Sequence, residues 1–445
     1  MSSRSRMAAF GLAAIVILAS AGCDVIGSKI VEPKKPTIQF KSNVSAGQDD
    51  VAVDTMVRVT ATHGTIDRAS LASAKGAVPV EQQGDAWVAT QRLEPGTEYT
   101  LTALGTGEDG KAGSQKTKFT TKALTLSEQT YPSVSPLTQD TVGVAMPVIV
   151  RFDLPVQNKE LFEKNMTVES SQPVEGRWAW FSDREVHYRP KDYWPAETDV
   201  TVKILVNSLP AGNGVYGQQD QVVKFHVGQK VVGYVDVNTY TLTIKDNDVV
   251  VKTIPVSTGD AKHRSREGTK VIMEKLRKVD MDAATTGVDS EDPGYYNLKD
   301  VEYALRLTNS GEFLHAAPWS VGAQGHANVS HGCTGMSPAN AEWLFGHMKK
   351  GDPVEYTGSP RPIEPGNGWT DWNIPWDQWV AKSALKVAPT PSATPTPSTT
   401  APGSPASSSP SAPASPSSSF GNRSVSNPRT FPSATPTPNG IRIRS

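Results

Sequence analysis

The sequence is poor in cysteine, because only Cys23 and Cys333 occur in its 445 residues. Cys23 ends an apolar N-terminal stretch, so we expect no structural disulfide in the mature protein. The sequence shows no metal-ligand spacing and no glycine-rich phosphate loop, so we expect neither a metal nor another cofactor. The net charge of −1 gives no general case for nucleic-acid binding.

Long hydrophobic runs are also missing, and the apolar run at residues 7–19 is too short to span a bilayer comfortably. It follows two arginines and precedes small residues, the order found in a bacterial export signal. The residues before Cys23 resemble a lipobox, in which the cysteine is acylated, with Ser20 in place of the usual leucine. We therefore predict a lipoprotein signal peptide at residues 1–23. The protein would be anchored through Cys23 to the outer face of the membrane. A plain secretory signal is the alternative.

The far end of the chain lacks the apolar residues that a folded core needs. Residues 387–445 consist mostly of Pro, Ser, Thr and Ala. Such a composition cannot bury enough apolar surface to offset the loss of backbone entropy, so we predict a disordered tail. Residues 24–35 are interpreted as a short linker.

The body of the chain is predicted to be mainly β. Short runs that alternate between apolar and polar residues, such as residues 57–62, are separated by turn residues. The turn at residues 94–97 precedes one strand, and the similar turn at residues 195–198 precedes another. We interpret residues 36–122 and 123–228 as two tandem immunoglobulin-like β-sandwiches that act as spacers.

A third unit is predicted for residues 229–358. Successive strands begin at Val231, and the turn at residues 246–248 indicates a hairpin. One main helix is expected at residues 337–348, with Ser337 as its N-cap and a proline at its first position. The third unit should therefore be a β-rich domain with a helix packed on it.

Four tryptophans mark a further segment at residues 359–386, namely Trp369, Trp372, Trp376 and Trp379. Tryptophan buries a large apolar area, and we interpret this segment as a C-terminal wrap whose indoles pack on the third domain. Sugar binding by the aromatic cluster is the alternative.

The densest motif is the run from Ser330 to Cys333, with the sequence Ser-His-Gly-Cys. A cysteine attacks as a thiolate, and a nearby imidazole supplies the base, for which His315, His326 and His331 are candidates. Cys333 precedes the predicted helix, whose N-terminal dipole should lower the pKa of the thiol and whose N–H groups could hold an oxyanion. An inert buried cysteine is the alternative.

The spacing of these residues resembles a known family. His315, fourteen intervening residues and the run from Ser330 to Cys333 match the signature of L,D-transpeptidases with a YkuD-type catalytic domain. The segments at residues 315–326 and 368–379 are similar to the mycobacterial or actinobacterial type, which has two N-terminal immunoglobulin-like domains. The resemblance covers residues 36–385.

The resemblance implies an acyltransferase of the cell envelope that acts on peptidoglycan stem peptides and is a target of carbapenems. Cys333 would attack the third stem residue, with release of the terminal D-alanine, and an amine of a neighbouring stem would accept the acyl group. His315 would be the base, oriented by the backbone carbonyl of Ala316. The partners expected are the stem peptides and, through Cys23, the membrane, with no nucleic acid; the protein is expected to be a monomer.

Other residues take supporting roles by the same resemblance. Ser330, His331 and Gly332 would shape the loop and the oxyanion hole. Tyr295 (or Tyr296) and Met281 would cover the substrate, and Trp319 would line the pocket or belong to the core.

One position departs from the family pattern, because Gly335 stands where an asparagine is usual. The departure leaves two alternatives to transpeptidation, which are an L,D-carboxypeptidase or amidase on the same polymer and a catalytically impaired wall-binding lipoprotein.

Overall fold

The computed structural model describes residues 34–286, 289–291 and 295–386. The predicted signal peptide, with Cys23, and the predicted tail at residues 387–445 lie outside the described residues, as does most of the predicted linker. Among the described residues, no helix is long and apolar enough to cross a membrane.

The first module is a β-sandwich. Its strands pair in two sheets with the orders β1-β3-β7-β6 and β2-β9-β8-β4-β5, where the bounds are β1 (Gln39–Ser42), β2 (Gln48–Val51), β3 (Arg58–Thr62), β4 (Gly64–Ser73), β5 (Gly76–Val78), β6 (Val80–Gln83), β7 (Ala86–Ala89), β8 (Glu98–Gly107) and β9 (Ala112–Thr121). Alternate residues of β8 face inward, and Leu101 packs with Leu71 and Phe119 in the core. The predicted period-two pattern thus builds the inner face of this sandwich.

The second module is also a sandwich, preceded by a 3-10 turn (Leu126–Glu128). Its main sheets have the orders β11-β13-β16-β15 and β12-β20-β17-β14, and a small sheet has the order β10-β19-β18. The bounds are β10 (Gln129–Thr130), β11 (Pro132–Ser135), β12 (Thr141–Val142), β13 (Val148–Phe152), α1 (Lys159–Lys164), β14 (Met166–Ser170), β15 (Gly176–Trp180), β16 (Glu185–Pro190), β17 (Thr198–Ile204), β18 (Pro210–Gly212), β19 (Val215–Gly217) and β20 (Gln221–Val227). The short helix α1 was not predicted; it buries Phe162 among the tryptophans of this core.

The third domain contains two sheets with the orders β23-β22-β21-β29-β24 and β25-β26-β27-β28. The bounds are β21 (Val231–Asp236), β22 (Thr241–Asp246), β23 (Val249–Pro255), β24 (Gly268–Val271), β25 (Glu274–Asp282), β26 (Asn297–Arg306), β27 (Phe313–Ala316), β28 (Thr334–Met336), α2 (Pro338–His347), β29 (Pro353–Thr357) and α3 (Trp376–Ala381), with 3-10 turns at Ala283–Thr286, Pro318–Ser320 and Asp371–Asn373. The predicted helix is confirmed as α2, and the Ser337 hydroxyl accepts a hydrogen bond from the Asn340 N–H. Because β27 and β28 are parallel neighbours, His315 lies opposite Gly335.

The predicted packing of the tryptophan-rich segment on the third domain is wrong for most of its indoles. Trp379 is fully buried and donates from Nε1 to the Arg177 carbonyl oxygen at 3.0 Å, and Trp372 donates to the Ala145 carbonyl oxygen at 2.9 Å. The Arg189 guanidinium lies 4.6–5.2 Å from the rings of Trp372, Trp376 and Trp379. Since these partners all belong to the second module, the segment wraps mainly around that module.

The same segment also fastens the second module to the third domain. Asp371 accepts a hydrogen bond from Nδ1 of the buried His187 at 2.6 Å, while the Asn373 amide exchanges two hydrogen bonds with the Thr269 backbone at 2.7 and 2.8 Å. Burial opposes the charge on His187, but Asp371 and Glu185 raise the pKa of this imidazole to about 9. A buried ion pair and an amide clamp therefore join the two domains through the segment.

Candidate active site

A cavity of about 250 Å³ brings together most of the residues predicted for the site. His315 and Cys333 both line it, and so do Trp319, Gly335 and Ser330. The cavity lies at the neighbouring strands β27 and β28. His315 is on β27, and Cys333 directly precedes β28. His326, which the sequence left open as a candidate base, is exposed and does not line this cavity.

The His315 ring is held in one tautomer. Its Nδ1 lies 2.8 Å from the carbonyl oxygen of Ala316, which can only accept a hydrogen bond. Nδ1 therefore carries the proton, and Nε2 has a free lone pair. Burial lowers the pKa of this imidazole, so that the ring is a neutral base at neutral pH.

The Cys333 thiol is protonated in the resting site. It is 8% exposed, and its Sγ donates to the Gly311 carbonyl oxygen at 3.4 Å. Burial raises the pKa of the thiol to about 12, and the charge of Glu312 adds to this rise, whereas the Phe313 N–H and Lys270 oppose it. The predicted lowering by the helix is wrong, because burial raises the pKa of the thiol and β28 separates Cys333 from the start of α2.

The Cys333 thiol and the His315 imidazole line the same cavity. Among the described residues, the hydrogen-bond partner of each is a backbone carbonyl, and no hydrogen bond joins the two. The Gly311 carbonyl is the partner that the thiol holds instead. The thiol must therefore release this carbonyl before His315 can take its proton. Such a change on substrate binding is common, because catalytic hydrogen bonds often form only in the complex.

The loop before the cysteine is shaped by its own hydrogen bonds. Ser330 Oγ donates to the Cys333 carbonyl oxygen at 2.6 Å and accepts from the Gly332 N–H at 3.1 Å. Gly332 has a φ of 122°, which favours glycine, and its carbonyl oxygen accepts from Ser265 Oγ at 2.7 Å. Because the Gly332 N–H is engaged by Ser330, Gly332 shapes the loop and has no free N–H for an oxyanion.

His331 lies between two other rings at the rim. Its centroid is 4.8 Å from that of Tyr296 and 4.6 Å from that of His263. Burial, followed by the proximity of His263, lowers the pKa of His331. The ring therefore forms part of an aromatic wall at the entrance.

The covering residues are Met281 and Tyr296, both of which line the cavity. Tyr295, the first choice of the sequence prediction, does not line it; its hydroxyl accepts a hydrogen bond from the Asn297 side chain at 3.2 Å. The tyrosine that lines the cavity is therefore Tyr296 and not Tyr295.

Trp319 belongs to the cavity and not to the core. It is 56% exposed, and its ring stacks on the His315 ring with the centroids 5.8 Å apart and the planes inclined by 28°. An indole in this place can contact a bound peptide and the base at once.

Gly335 is explained by a close approach of neighbouring backbone and side chain. Its N–H and carbonyl oxygen both pair with Ser257, each at 2.9 Å. A Cβ atom at this position would lie 2.8 Å from the Cβ of Ala317, a distance at which something must shift. Asparagine, the usual residue of the family, therefore does not fit without a movement of Ala317.

A buried charge cluster beside the site was missed by the sequence prediction. The Lys270 ammonium lies 2.6 Å from Glu312 Oε2, and the Arg266 guanidinium lies 2.9 Å from Glu312 Oε1. Lysine and glutamate at 270 and 312 are 42 positions apart, and neither stands in a motif. In the described residues, no group of three or more His, Cys, Asp or Glu side chains could hold a metal ion.

The fold and the site together define the class of protein, in which a YkuD-type catalytic domain follows bacterial immunoglobulin-like modules in the chain. Residues 230–355 match the family model described as the L,D-transpeptidase catalytic domain, and residues 48–209 match the bacterial Ig domain model. The predicted fold class is thereby confirmed.

Comparison with known proteins then gives the family. The chain is 37% identical over 350 residues to L,D-transpeptidase 2 of Mycobacterium tuberculosis (strain CDC 1551 / Oshkosh), which covers 78% of this chain and 85% of the relative. It is 34% identical over 411 residues to L,D-transpeptidase 5 of Mycobacterium tuberculosis (strain ATCC 25618 / H37Rv), which covers 89% and 87%. A solved complex of the L,D-transpeptidase LdtMt1 with imipenem shares 35% identity and a TM-score of 0.46, over 52% of this chain and 99% of that one. The protein belongs to the L,D-transpeptidase family, as the motif predicted.

Proposed function

We propose that this protein is a peptidoglycan L,D-transpeptidase in which Cys333 is the nucleophile and His315 its base. The observation that carries the proposal is the hydrogen bond from His315 Nδ1 to the Ala316 carbonyl oxygen, which leaves Nε2 free in the cavity that Cys333 lines. Family membership and the intact motif support the same assignment.

The first half-reaction forms an acyl-enzyme. The Cys333 thiol gives its proton to His315 Nε2, and the thiolate attacks the carbonyl carbon of the third residue of a stem tetrapeptide. A carbon–sulfur bond forms, the bond to the nitrogen of the terminal D-alanine breaks, and the imidazolium returns the proton to that leaving amine. Free D-alanine departs, and a thioester remains on Cys333.

The second half-reaction transfers the acyl group. The side-chain amine of the third residue on a neighbouring stem attacks the thioester carbonyl carbon, and His315 takes a proton from this amine. The carbon–sulfur bond breaks as the new amide forms, and the proton passes back to the departing sulfur. The product is a cross-link between third residues, and the thiol is regenerated.

The chemistry of the walls suits a peptide substrate. Met281, Tyr296 and Trp319 give the cavity an apolar lining that can contact the stem and exclude water from the thioester. Exclusion of water favours an amine over hydrolysis, which supports transpeptidation over the carboxypeptidase alternative. The presence of both His315 and Cys333 in one cavity supports an active site over an impaired one.

The location follows from the substrate. We place the protein in the cell envelope, anchored through an acylated Cys23 at the outer face of the membrane and acting as a monomer. The immunoglobulin-like modules then carry the catalytic domain toward the wall. The fastening of the second module to the catalytic domain by Asp371 and Asn373 supports a rigid presentation of the site.

The test is incubation of the protein with a disaccharide that carries a tetrapeptide stem, followed by mass spectrometry of the products. A cross-linked dimer that has lost one D-alanine supports transpeptidation, whereas tripeptide alone would assign the carboxypeptidase reaction. Absence of any acyl-enzyme on Cys333 would overturn both. The Cys333→Ser variant is the matched control.

A further inference from the structure

A fully buried ammonium group lies close enough to the proposed nucleophile for its charge to act on the thiol. Lys270 is on β24, its side chain has no solvent exposure, and its Nζ lies 3.4 Å from the centre of the Tyr356 ring. Lysine is rarely buried completely unless it is paired, and here Glu312 Oε2 is 2.6 Å away. The cation is therefore held in place by an acid and an aromatic face.

Glu312 connects this cation to the sulfur. Glu312 stands between Gly311, whose carbonyl oxygen accepts from the thiol, and Phe313, whose N–H faces the sulfur. A Cβ atom at Gly332, the neighbour of Cys333, would lie 3.6 Å from Glu312 Oε1. The carboxylate of Glu312 thus lies against the loop that carries the Cys333 thiol.

The other charged and titratable groups that face the pair are few. Arg266 contacts Glu312 and also pairs with Glu364 at the surface. The Tyr356 hydroxyl is hydrogen-bonded at 2.7 Å to Oγ1 of Thr334, the residue that follows Cys333. His315 on β27 is neutral at rest, because burial lowers its pKa. Arg266 and Lys270 are therefore the cations of this cluster, and Lys270 is the one without solvent screening. Burial lowers the pKa of Lys270 to about 8, although Glu312 opposes this fall, so the ammonium is charged at neutral pH.

We propose that Lys270 is a positioning residue whose buried ammonium stabilises the Cys333 thiolate, while Glu312 limits how much of that charge the sulfur experiences. The inference rests on the proposed role of Cys333 as the nucleophile. When His315 takes the thiol proton, the new negative charge forms in a poorly solvated site, where a fixed cation has a strong effect. Burial and the charge of Glu312 together keep the thiol protonated at rest, and Lys270 makes its ionisation accessible during reaction.

Two charge-removing substitutions give opposite predictions. Lys270→Met removes the cation and leaves Glu312, so the apparent pKa of the thiol should rise, and alkylation of Cys333 by iodoacetamide at pH 7, where Lys270 is charged, should slow by about ten- to a hundredfold. Glu312→Gln removes the opposing anion, so the apparent pKa should fall and alkylation should accelerate. If the ion pair were merely structural, either substitution would break the same contact. Both variants would then change the alkylation rate in the same direction.

The measurement is the pH profile of alkylation, from pH 6 to pH 10, followed on the Cys333 peptide by mass spectrometry in the full chain. Lys203→Met, which removes a lysine paired with Glu169 on the second module, is the matched control and should match the wild type. An unchanged profile for Lys270→Met, or shifts of the same sign in both variants, would overturn the proposal. If Lys270→Met fails to fold, Glu312→Gln decides alone, and slower or unchanged alkylation overturns the proposal.

Alkylation needs no peptidoglycan, so the two proposals fail separately. Opposite shifts without cross-linked product would leave the thiolate control standing and remove the transpeptidase assignment. Cross-linking without opposite shifts would remove only the role of Lys270.

Discussion

The thiol of Cys333 donates its hydrogen bond to the carbonyl oxygen of Gly311 at 3.4 Å, whereas the imidazole of His315 is anchored to Ala316. The proposed nucleophile and its proposed base are thus each held by a backbone carbonyl, and both are neutral at rest. In the proposed reaction, the binding of substrate therefore has to release the thiol from Gly311 before the thiol can give its proton to His315.

Restoring a side chain at position 335 should perturb the site. Gly335→Ala places a Cβ atom 2.8 Å from that of Ala317, so we expect a loss of about 1–3 kcal/mol in stability and slower acylation of Cys333. The double variant with Ala317→Gly removes the contact and should recover most of the loss. Thermal unfolding and the acylation rate test this, and an equally damaged double variant would contradict the steric explanation.

Trp319 should matter for the reaction and little for folding. Its indole is 56% exposed and stacks on His315, so Trp319→Ala should lower the rate of acylation at least tenfold through loss of substrate contact and base alignment. The stability should change by less than about 1 kcal/mol, as for other exposed positions. A large drop in the unfolding temperature would instead place this residue in the core.

Trp379 should behave in the opposite way. It is fully buried, donates to the Arg177 carbonyl oxygen at 3.0 Å and packs under Arg189, so Trp379→Ala should cost about 3–5 kcal/mol. The partly exposed Trp376 contacts the same guanidinium at 5.2 Å and is the matched comparison, with a smaller expected loss. Equal losses would argue against the wrap as a packed structural element. Chemical denaturation of both variants measures the difference.

Asp352 should make stability depend on pH. It is fully buried at the seam with Gly143, and burial raises the pKa of its carboxyl to about 7. The folded state then keeps a proton that the unfolded chain releases above about pH 4, so this stabilisation is lost as the pH rises through 7. Asp352→Asn lacks the titration and should be more stable than the wild type at pH 8, by on the order of 3 kcal/mol.

The comparison of unfolding midpoints at pH 5 and pH 8 tests the role of Asp352. The wild type should lose stability between the two values, and the Asn variant should lose much less. Asp85→Asn, at an exposed position, is the control and should follow the wild type. Parallel pH curves for the wild type and Asp352→Asn would show that the carboxyl does not titrate in this range.

Local sequence patterns predicted the elements that local physics determines. The hairpin of β22 and β23 follows from the turn at residues 246–248, and α2 follows from a capping serine and a proline at its first position. The strand β25 (Glu274–Asp282) was missed because six of its nine residues are charged. Its inward apolar residues Leu276, Val279 and Met281 do not alternate regularly, since the register shifts between Val279 and Met281.

Properties that depend on tertiary packing were not accessible from the sequence. Spacing along the chain placed His315 and Cys333 in one site, but burial, which raises the pKa of the thiol, depends on how distant segments close over it. The pairing of Lys270 with Glu312 joins two unremarkable positions on different strands and turns. The contact of Trp379 with the second module likewise spans 202 positions.

The most direct test of the central claim is the intact mass of the protein after exposure to a carbapenem and, separately, to a tetrapeptide-stem disaccharide. The wild type should gain one acyl adduct located at Cys333, Cys333→Ala should gain none, and His315→Gln should react about 10²–10⁴ times more slowly. An adduct of normal rate in either variant, or no adduct in the wild type, would contradict a Cys333–His315 acyl-transfer site.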